Sequence, residues 1–290
     1  MIELSRRGDG WSLGYGGDVL NTAIHLSRFG HDVCLYSALG DDPLSEELRG
    51  RWTAEGLDCS MVLTSTQSHA GIYAITVDAA GERSFTYWRA LSAARAMFDL
   101  AGCEEALDKA RHCDLLYFSL VSLAILSQES RETLLRLASD VRANGGRVAF
   151  DSNYRPRLWV TPQLARQIRD SAIAVADIGL PTLEDEVALG GAGDADDCSQ
   201  HWTSLGCAET VVKFGAKGCR LPDGTLSQPE RAVSPVDTSG AGDAFNAGYL
   251  SERLNGADPA RAATRGHAIA GWTIMRSGAI PARDDKASYI

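Results

Sequence analysis

From Gly17 onward the chain switches repeatedly between helical and strand-like spacing of its apolar residues. Val19, Leu20, Ala23, Ile24, Leu26 and Phe29 recur at helical intervals, and Gly30 stands where a helix would stop. Val33 to Leu39 then reads as a buried strand, and Ser45 to Gly56 as a helix. Further on, Leu115 to Ser119 predicts a strand. Ser130 to Asn144 predicts a helix ending at Gly145-Gly146, and Arg147 to Phe150 a strand reaching Asp151. Thr161 to Ala176 predicts a helix, Asp177 to Leu180 a short strand, and Thr210 to Phe214 a strand running into Gly215 and Gly218. Asp243 to Leu254 and Arg261 to Met275 are the last two helices expected. Repeated strand–helix pairs predict an α/β fold with a mostly parallel sheet and helices on both faces. Ligands of such sheets sit at the carboxyl ends of strands. Asp151 to Arg155, Gly215 to Gly218 and Ser239 to Asp243 all fall there.

Two regions break the alternation. The first 15 residues are polar and Gly-rich and show no core pattern. Residues 60 to 90 are rich in Thr and Ser. Gly71 to Val77 and Ser84 to Trp88 read as two strands around turn residues at Asp78 to Glu82, which predicts a β-hairpin set apart as a small lid. Gly190 to Asp197 is a biased stretch expected to be a surface loop.

Lys and Arg number 28 against 38 Asp and Glu, a net charge of −10. Phosphate polymers and anionic membranes call for clustered cations, so neither nucleic acid nor membrane is an expected partner. A small anionic substrate needs only a local cationic pocket. Seven cysteines without C-x-x-C spacing predict reduced thiols in a cytoplasmic protein rather than a disulfide framework or structural zinc. The most apolar run, Leu115 to Leu126, falls short of the ~18 residues that span a membrane and contains Ser119 and Ser122. No secretory leader is expected at Met1.

The segment with most chemistry is Asp237-Thr-Ser-Gly-Ala-Gly-Asp-Ala-Phe-Asn-Ala-Gly248. Small residues at 239 to 242 leave backbone N–H groups uncovered, and a helix starting there adds its positive dipole end. Together they make a cradle for negative charge developing on a transferred phosphoryl group. Asp243 could accept a proton from an attacking hydroxyl, or could simply cap the helix. Gly-Ala-Gly-Asp also occurs at 191 to 194, before a polar stretch, so the tetrapeptide alone means little. Gly16-Gly-Asp-Val-Leu-Asn-Thr-Ala23 is the second segment. Asp18 and Asn21 could bond sugar hydroxyls, or Asp18 could be an N-cap with Asn21 facing solvent.

On these two segments the chain resembles the ribokinase-like (PfkB-type) sugar kinases, from about residue 2 to residue 284. Residues 237 to 248 match that family's C-terminal signature and 16 to 40 approximate its N-terminal one. Within it, the narrower resemblance is to the kinases of 2-dehydro-3-deoxygluconate. It rests on residues 16 to 23, Gly-Glu-Arg-Ser-Phe-Thr-Tyr-Trp-Arg at 81 to 89, Ser-Leu-Ala-Ile-Leu-Ser at 122 to 127, and Asp-Ser-Asn-Tyr-Arg-Pro-Arg-Leu-Trp at 151 to 159.

The resemblance implies one ribokinase-like kinase domain over 1–290. This would be a three-layer α/β/α sandwich with a β lid from about 1–15 and 58–92. It implies ATP-dependent phosphorylation of the sugar acid's 6-hydroxyl, another sugar such as fructose or a nucleoside being the alternative, beside a non-catalytic sugar-acid binder. Asp243 would be the base, and Gly240, Ala241 and Gly242 the anion hole. Gly17, Asp18 and Asn21 would hold the sugar, with Tyr73, Tyr87 and Arg89 closing over it. Arg155 would lie near substrate and phosphate. Asn153, Arg155, Lys213, Gly215, Gly218, Gly240 and Gly242 would line the nucleotide site.

Elementary chemistry agrees in part. Arg89 offers a fork that fits a keto acid's carboxylate, which a neutral hexose lacks. Either Arg89 or Arg155 could instead be a surface ion-pair residue, Tyr73 and Tyr87 could be lid core, and Lys213 a solvated strand edge. Mg²⁺ is expected with ATP. The family's Asn-x-x-Glu element corresponds here to Thr182-Leu-Glu-Asp185, so Asp185 is the candidate ligand, with Thr182 in place of Asn. The resemblance also implies a sheet without its first, central strand, which would precede Met1; either a start further upstream or another repair of the sheet is expected. Ile72 and Ile75 suggest a homodimer through the lid. There is no G-x-x-x-x-G-K-[ST], no G-x-S-x-G, no metal-like His spacing, and no G-x-G-x-x-G opening a helix after a strand. P-loop, serine-hydrolase, zinc and dinucleotide chemistries are therefore not expected.

Overall fold

The computed structural model describes residues 1–7, 10–77 and 83–289. It divides into two compact units, Met1–Ala106 and Leu107–Ile290. The turn expected at Asp78 to Glu82 lies outside the described residues.

The first unit opens with β1 (Ile2–Arg7) and β2 (Gly10–Tyr15), followed by α1 (Asp18–Arg28), β3 (Ser37–Gly40), α2 (Pro43–Ala54), β4 (Val62–Ser65), β5 (Ile72–Val77) and β6 (Arg83–Trp88). The expected hairpin is present as β5 and β6, with Tyr73 opposite Tyr87. The polar N-terminal stretch is not patternless, however. It forms a second hairpin that adds β1 parallel to β5, giving a sheet ordered β2-β1-β5-β6. Its two apolar anchors, Ile2 and Leu4, are too few to show as periodicity; what orders it is the neighbouring strand. The expected strand at Val33 shortens to β3, because only Ser37 to Gly40 finds ladder partners, on β4; Cys34 makes an isolated bridge to Asp58. Helix α2 starts where Asp42 accepts from Leu44 and Ser45 N–H and Pro43 supplies a first-turn residue that needs no partner.

Helix α3 (Cys103–Ala110) spans the sequence boundary. The second unit then runs β7 (Leu115–Ser119), α4 (Leu120–Ile125), α5 (Gln128–Ala143), β8 (Arg147–Asp151), α6 (Pro162–Ile173), β9 (Ile178–Gly179), α7 (Leu183–Leu189), α8 (Ala195–Ser204), β10 (Glu209–Thr210) and β11 (Val212–Lys213). It ends with β12 (Cys219–Arg220), β13 (Leu226–Ser227), α9 (Ala241–Leu254) and α10 (Pro259–Ile274). Strands β7, β8, β9 and β10 make a parallel sheet in that spatial order. The two serines inside the apolar run at 115 to 126 decide its conformation. Ser119 accepts from Ser122 N–H and Ser122 from Ser119 N–H, each at 3.2 Å, a reciprocal cap that turns β7 directly into α4.

The single strand expected at Thr210 to Phe214 is two strands. Thr210 pairs with Gly179 in the parallel sheet, whereas Lys213 pairs antiparallel with Cys219 in a separate sheet of β11, β12 and β13. The parallel strands likewise form two ladders, β3–β4 in the first unit and β7–β10 in the second. Among the described residues, no strand pairs with the outer edge of β7.

The core of the second unit centres on Phe150, with ring centroids 5.3 Å from Phe118 and 5.6 Å from Trp202. A buried ion pair, Arg169 to Glu186 at 2.7 Å, ties α6 to the first turn of α7. The expected surface loop at 190 to 197 is shorter than predicted: Asp194 caps α8 by accepting from Asp196 and Asp197 N–H.

Candidate active site

In the second unit the candidate residues gather at the carboxyl ends of β8 and β11 and at the start of α9. Helix α9 begins at Ala241, two residues before the expected Asp243, because Gly240 takes the capping position in a left-handed conformation (φ 71°). Asp243 is thus the third helical residue, and the cap makes no side-chain hydrogen bond. Asp243 is not capping this helix. At 191 to 194 the same four residue types behave differently, since there the Asp is the cap. The turn ahead of Gly240 is held by buried Asp237, which accepts from Ser239 N–H at 2.8 Å and Gly278 N–H at 2.7 Å.

Lys213 is not a solvated strand edge. Its side chain is 8% exposed, and its ammonium donates to Asn246 Oδ1 at 2.9 Å and to Asp151 Oδ1 at 3.3 Å. Asn246 Nδ2 in turn donates to Asp151 Oδ2 at 2.8 Å and Tyr117 Oη at 3.1 Å. Sequence reasoning gave Asp151, Asn246 and Tyr117 no role. The available signal was helical spacing: Asn246 stands three residues after Asp243 and four after Gly242, on the same face of α9. Gly215 opens a short 3₁₀ turn, and Gly218 closes it with its N–H bonded to Gly215 C=O, returning the chain into β12.

Asn153 is buried after β8, its N–H bonded to Asp151 Oδ1. Arg155 follows, about half exposed, 3.5 Å from Asp185. It is an ion-pair residue, as its alternative reading allowed, and the pair sits beside the cluster just described. Asp185 also accepts from Tyr154 N–H. Burial pushes its carboxyl above the ordinary range. Arg155 and Lys213 work against that rise, and the charge of Asp151 adds to it. No group of three or more His, Cys, Asp or Glu able to hold a metal occurs among the described residues. Magnesium needs fewer: it keeps several waters and takes one or two carboxylates with substrate phosphates. Asp185, an acid whose anion is disfavoured by desolvation, is a donor of the kind a cation would satisfy.

In the first unit Gly17, not Asp18, is the cap of α1, and Asp18 is its first helical residue. Asn21 is buried rather than facing solvent, and its Oδ1 accepts from Gly17 N–H at 3.2 Å. Tyr73 lies across this turn. A Cβ on Gly16 would come 2.5 Å from the Tyr73 hydroxyl, so only glycine lets the ring pack there. That hydroxyl donates to Glu3. Tyr73 is buried, whereas Tyr87 on β6 is 40% exposed. Their rings are 6.0 Å apart, and the Arg89 guanidinium lies 4.3 Å above the Tyr87 ring. Glu3, Tyr73, Tyr87 and Arg89 therefore form one continuous stack. Ile72 and Ile75 are half-buried; the exposed apolar residues of this sheet are Trp11, Leu13 and Trp88, on one face, and Phe85 and Tyr87 on the other.

The chain is similar to the 2-dehydro-3-deoxygluconokinase of Dickeya dadantii, with 40% identity over 97% of this chain and 94% of the relative. The enzyme of the same name from Escherichia coli strain K12 is 38% identical over 98% of this chain and 95% of its own length. Among solved structures, aminoimidazole riboside kinase from Salmonella enterica, complexed with aminoimidazole riboside and an ATP analog, superposes with a TM-score of 0.82 to 0.83 at 25 to 26% identity, the complex covering 96% of this chain and 92% of that one. Residues 2–286 match the pfkB family carbohydrate kinase description from end to end. With that match and these identities over nearly the whole chain, the protein belongs to the pfkB family of carbohydrate kinases.

Proposed function

We propose that this protein transfers the γ-phosphoryl group of ATP to the 6-hydroxyl of 2-dehydro-3-deoxy-D-gluconate, yielding the 6-phosphate and ADP. The observation that carries the reading is the start of α9. A left-handed glycine cap leaves the helix N-terminus free of any side-chain cap, and a carboxylate follows three residues later. Uncovered N–H groups of Gly240, Ala241 and Gly242 and the helix dipole favour charge building on the transferring phosphoryl. Asp243, not engaged as a cap, takes the proton from the attacking hydroxyl. The relatives named for 2-dehydro-3-deoxygluconate support that acceptor.

Roles of the other residues follow from their chemistry. Gly17, Asp18 and Asn21 bond sugar hydroxyls, and Arg89, oriented by the Tyr87 ring, receives the carboxylate that distinguishes a sugar acid from a neutral sugar. Tyr73 and Tyr87 provide the apolar wall. Asn153, Arg155, Gly215 and Gly218 belong to the nucleotide side. Asp185 would hold Mg²⁺ together with water and phosphate oxygens, and the ion would neutralise the β and γ oxygens.

The protein is further proposed to act as a homodimer through the sheet β2-β1-β5-β6. Trp11 at 53% and Trp88 at 58% exposure, with Leu13, offer one apolar face for a second copy. Trp88→Glu is expected to give a monomer by light scattering; an unchanged mass would remove that interface. Seven free thiols support a cytoplasmic location, and no described helix is long and apolar enough to cross a membrane.

The test is a coupled ADP-release assay with ATP and Mg²⁺, offering 2-dehydro-3-deoxygluconate beside fructose and ribose. Preferential turnover of the keto acid is expected. Turnover of a neutral sugar alone would replace the acceptor while leaving the phosphotransferase.

A further inference from the structure

The triangle formed by Lys213, Asp151 and Asn246 has no role in the chemistry assigned above. A lysine ammonium inside a protein is costly unless its charge and donors are matched. Here they are matched by one carboxylate and one amide, with Asp151 5% exposed and Asn246 fully buried. The amide closes the triangle in only one orientation. Its oxygen must face Lys213, which has no acceptor, and its nitrogen must face the Asp151 carboxylate, which has no donor. No other standard side chain of this length offers both.

What the triangle joins makes it more than filler. Asp151 ends β8, Lys213 ends β11, and Asn246 belongs to α9 on the face that also carries Gly242 and Asp243. A Cβ on Gly242 would stand 3.9 Å from Lys213 Nζ, so the ammonium lies directly behind the glycine turn. Lys213 N–H is itself bonded to Pro181 C=O at 2.8 Å, just ahead of the helix that carries Asp185. The same residue thus fixes the backbone leading to Asp185 and supports the start of α9.

We propose that Lys213 is a positioning residue for phosphoryl transfer. Held by Asp151 and Asn246, it locks the first turn of α9 in place and sets a fixed positive charge behind the glycine cradle, without itself being a ligand of the nucleotide. The proposal rests on the reading of the protein as a phosphotransferase. A preorganised charge of this kind acts on the transition state, not on ground-state binding.

Three variants test it, assayed with whichever acceptor the unmodified protein phosphorylates, so a wrong choice of sugar does not decide the outcome. Lys213→Met leaves Asp151 buried without its cation, so its Tm should fall sharply. The double variant Lys213→Met/Asp151→Asn removes that stranded charge. Its Tm should recover to near wild type while kcat stays down about 30-fold or more and KM for ATP stays within about 3-fold. Asn246→Ala keeps the ion pair but detaches it from α9, and should lower kcat in the same way without raising KM for ATP. Recovery of kcat together with Tm in the double variant would reduce Lys213 to a packing role. A rise in KM for ATP matching the whole loss of kcat/KM would make it a nucleotide ligand. A wild-type kcat in Asn246→Ala would remove the link to α9. Each of these results overturns the proposal.

Discussion

A Cβ built on Gly240 would lie 2.6 Å from the Cβ of Ala279, and the Gly240 backbone is left-handed at φ 71°. The cradle at the start of α9 is therefore closed from behind by the loop after α10. Gly240→Ala should be penalised twice. A non-glycine residue at positive φ costs about 1 kcal/mol, and overpacking against Ala279 adds about 1–3 kcal/mol. The expected result is a lower Tm and a loss of turnover out of proportion to the loss of stability. Ala279→Gly in the same chain should recover part of the Tm and less of the turnover, because the backbone conformation remains strained. Differential scanning calorimetry beside the ADP-release assay measures both.

Asp243 makes no cap, so its removal should spare the fold. Asp243→Asn and Asp243→Ala are expected to melt close to wild type and to lose about 100- to 10,000-fold in kcat, the range for removing a general base. A variant retaining wild-type turnover would refute the assignment of the base.

Arg89 separates an acidic acceptor from a neutral one. A hydrogen-bonded carboxylate–guanidinium contact is worth about 1.5–3 kcal/mol, so Arg89→Ala should lower kcat/KM for the keto acid by about 10- to 100-fold. Any residual activity on fructose should stay unchanged. Equal losses on both acceptors would show that Arg89 supports the Tyr87 ring and does not read the carboxylate.

Asp42 provides a stability prediction with a pH sign. Burial alone would raise its carboxyl, but hydrogen bonds from the Ser45 hydroxyl, His69 and the Ser45 N–H outweigh it and hold the value at about 2 against an ordinary 3.8. The folded state thus prefers the ionised form. That contribution is fully present above about pH 4 and is lost as pH falls through the folded value near 2. Asp42→Ala should cost about 1 kcal/mol at neutral pH through the lost cap of α2. The Tm gap between the two proteins should narrow as the pH falls from 4 to 2. A constant gap would mean that the cap, and not the charge, supplies all of the stability.

Much of the second unit could be read directly. Leu115 to Ser119 is a strand as expected, and α5, α6, α9 and α10 differ from expectation by one to three residues at their ends. These segments are long or bounded by Ser, Thr, Asp or Pro, so local capping and periodicity suffice. The run at Thr210 to Phe214 was not readable as two strands. Its apolar pattern is continuous, and only the partners, Gly179 on one side and Cys219 on the other, divide it.

The site divides in the same way. Its residue types and their spacing, above all Gly240 to Asp243 and Gly16 to Asn21, are local properties, and the chain by itself determined where phosphoryl and sugar chemistry would gather. Tertiary structure alone decided which Gly-Ala-Gly-Asp is a cradle. At 191 to 194 the Asp caps α8. At 240 to 243 Ala279 and the bonds of Asp237 hold the glycine left-handed and release the Asp. It also decided that Lys213 is buried. Its partners come from residues 62 positions earlier and 33 positions later, and no local pattern encodes a match of charge and hydrogen bonds across that separation.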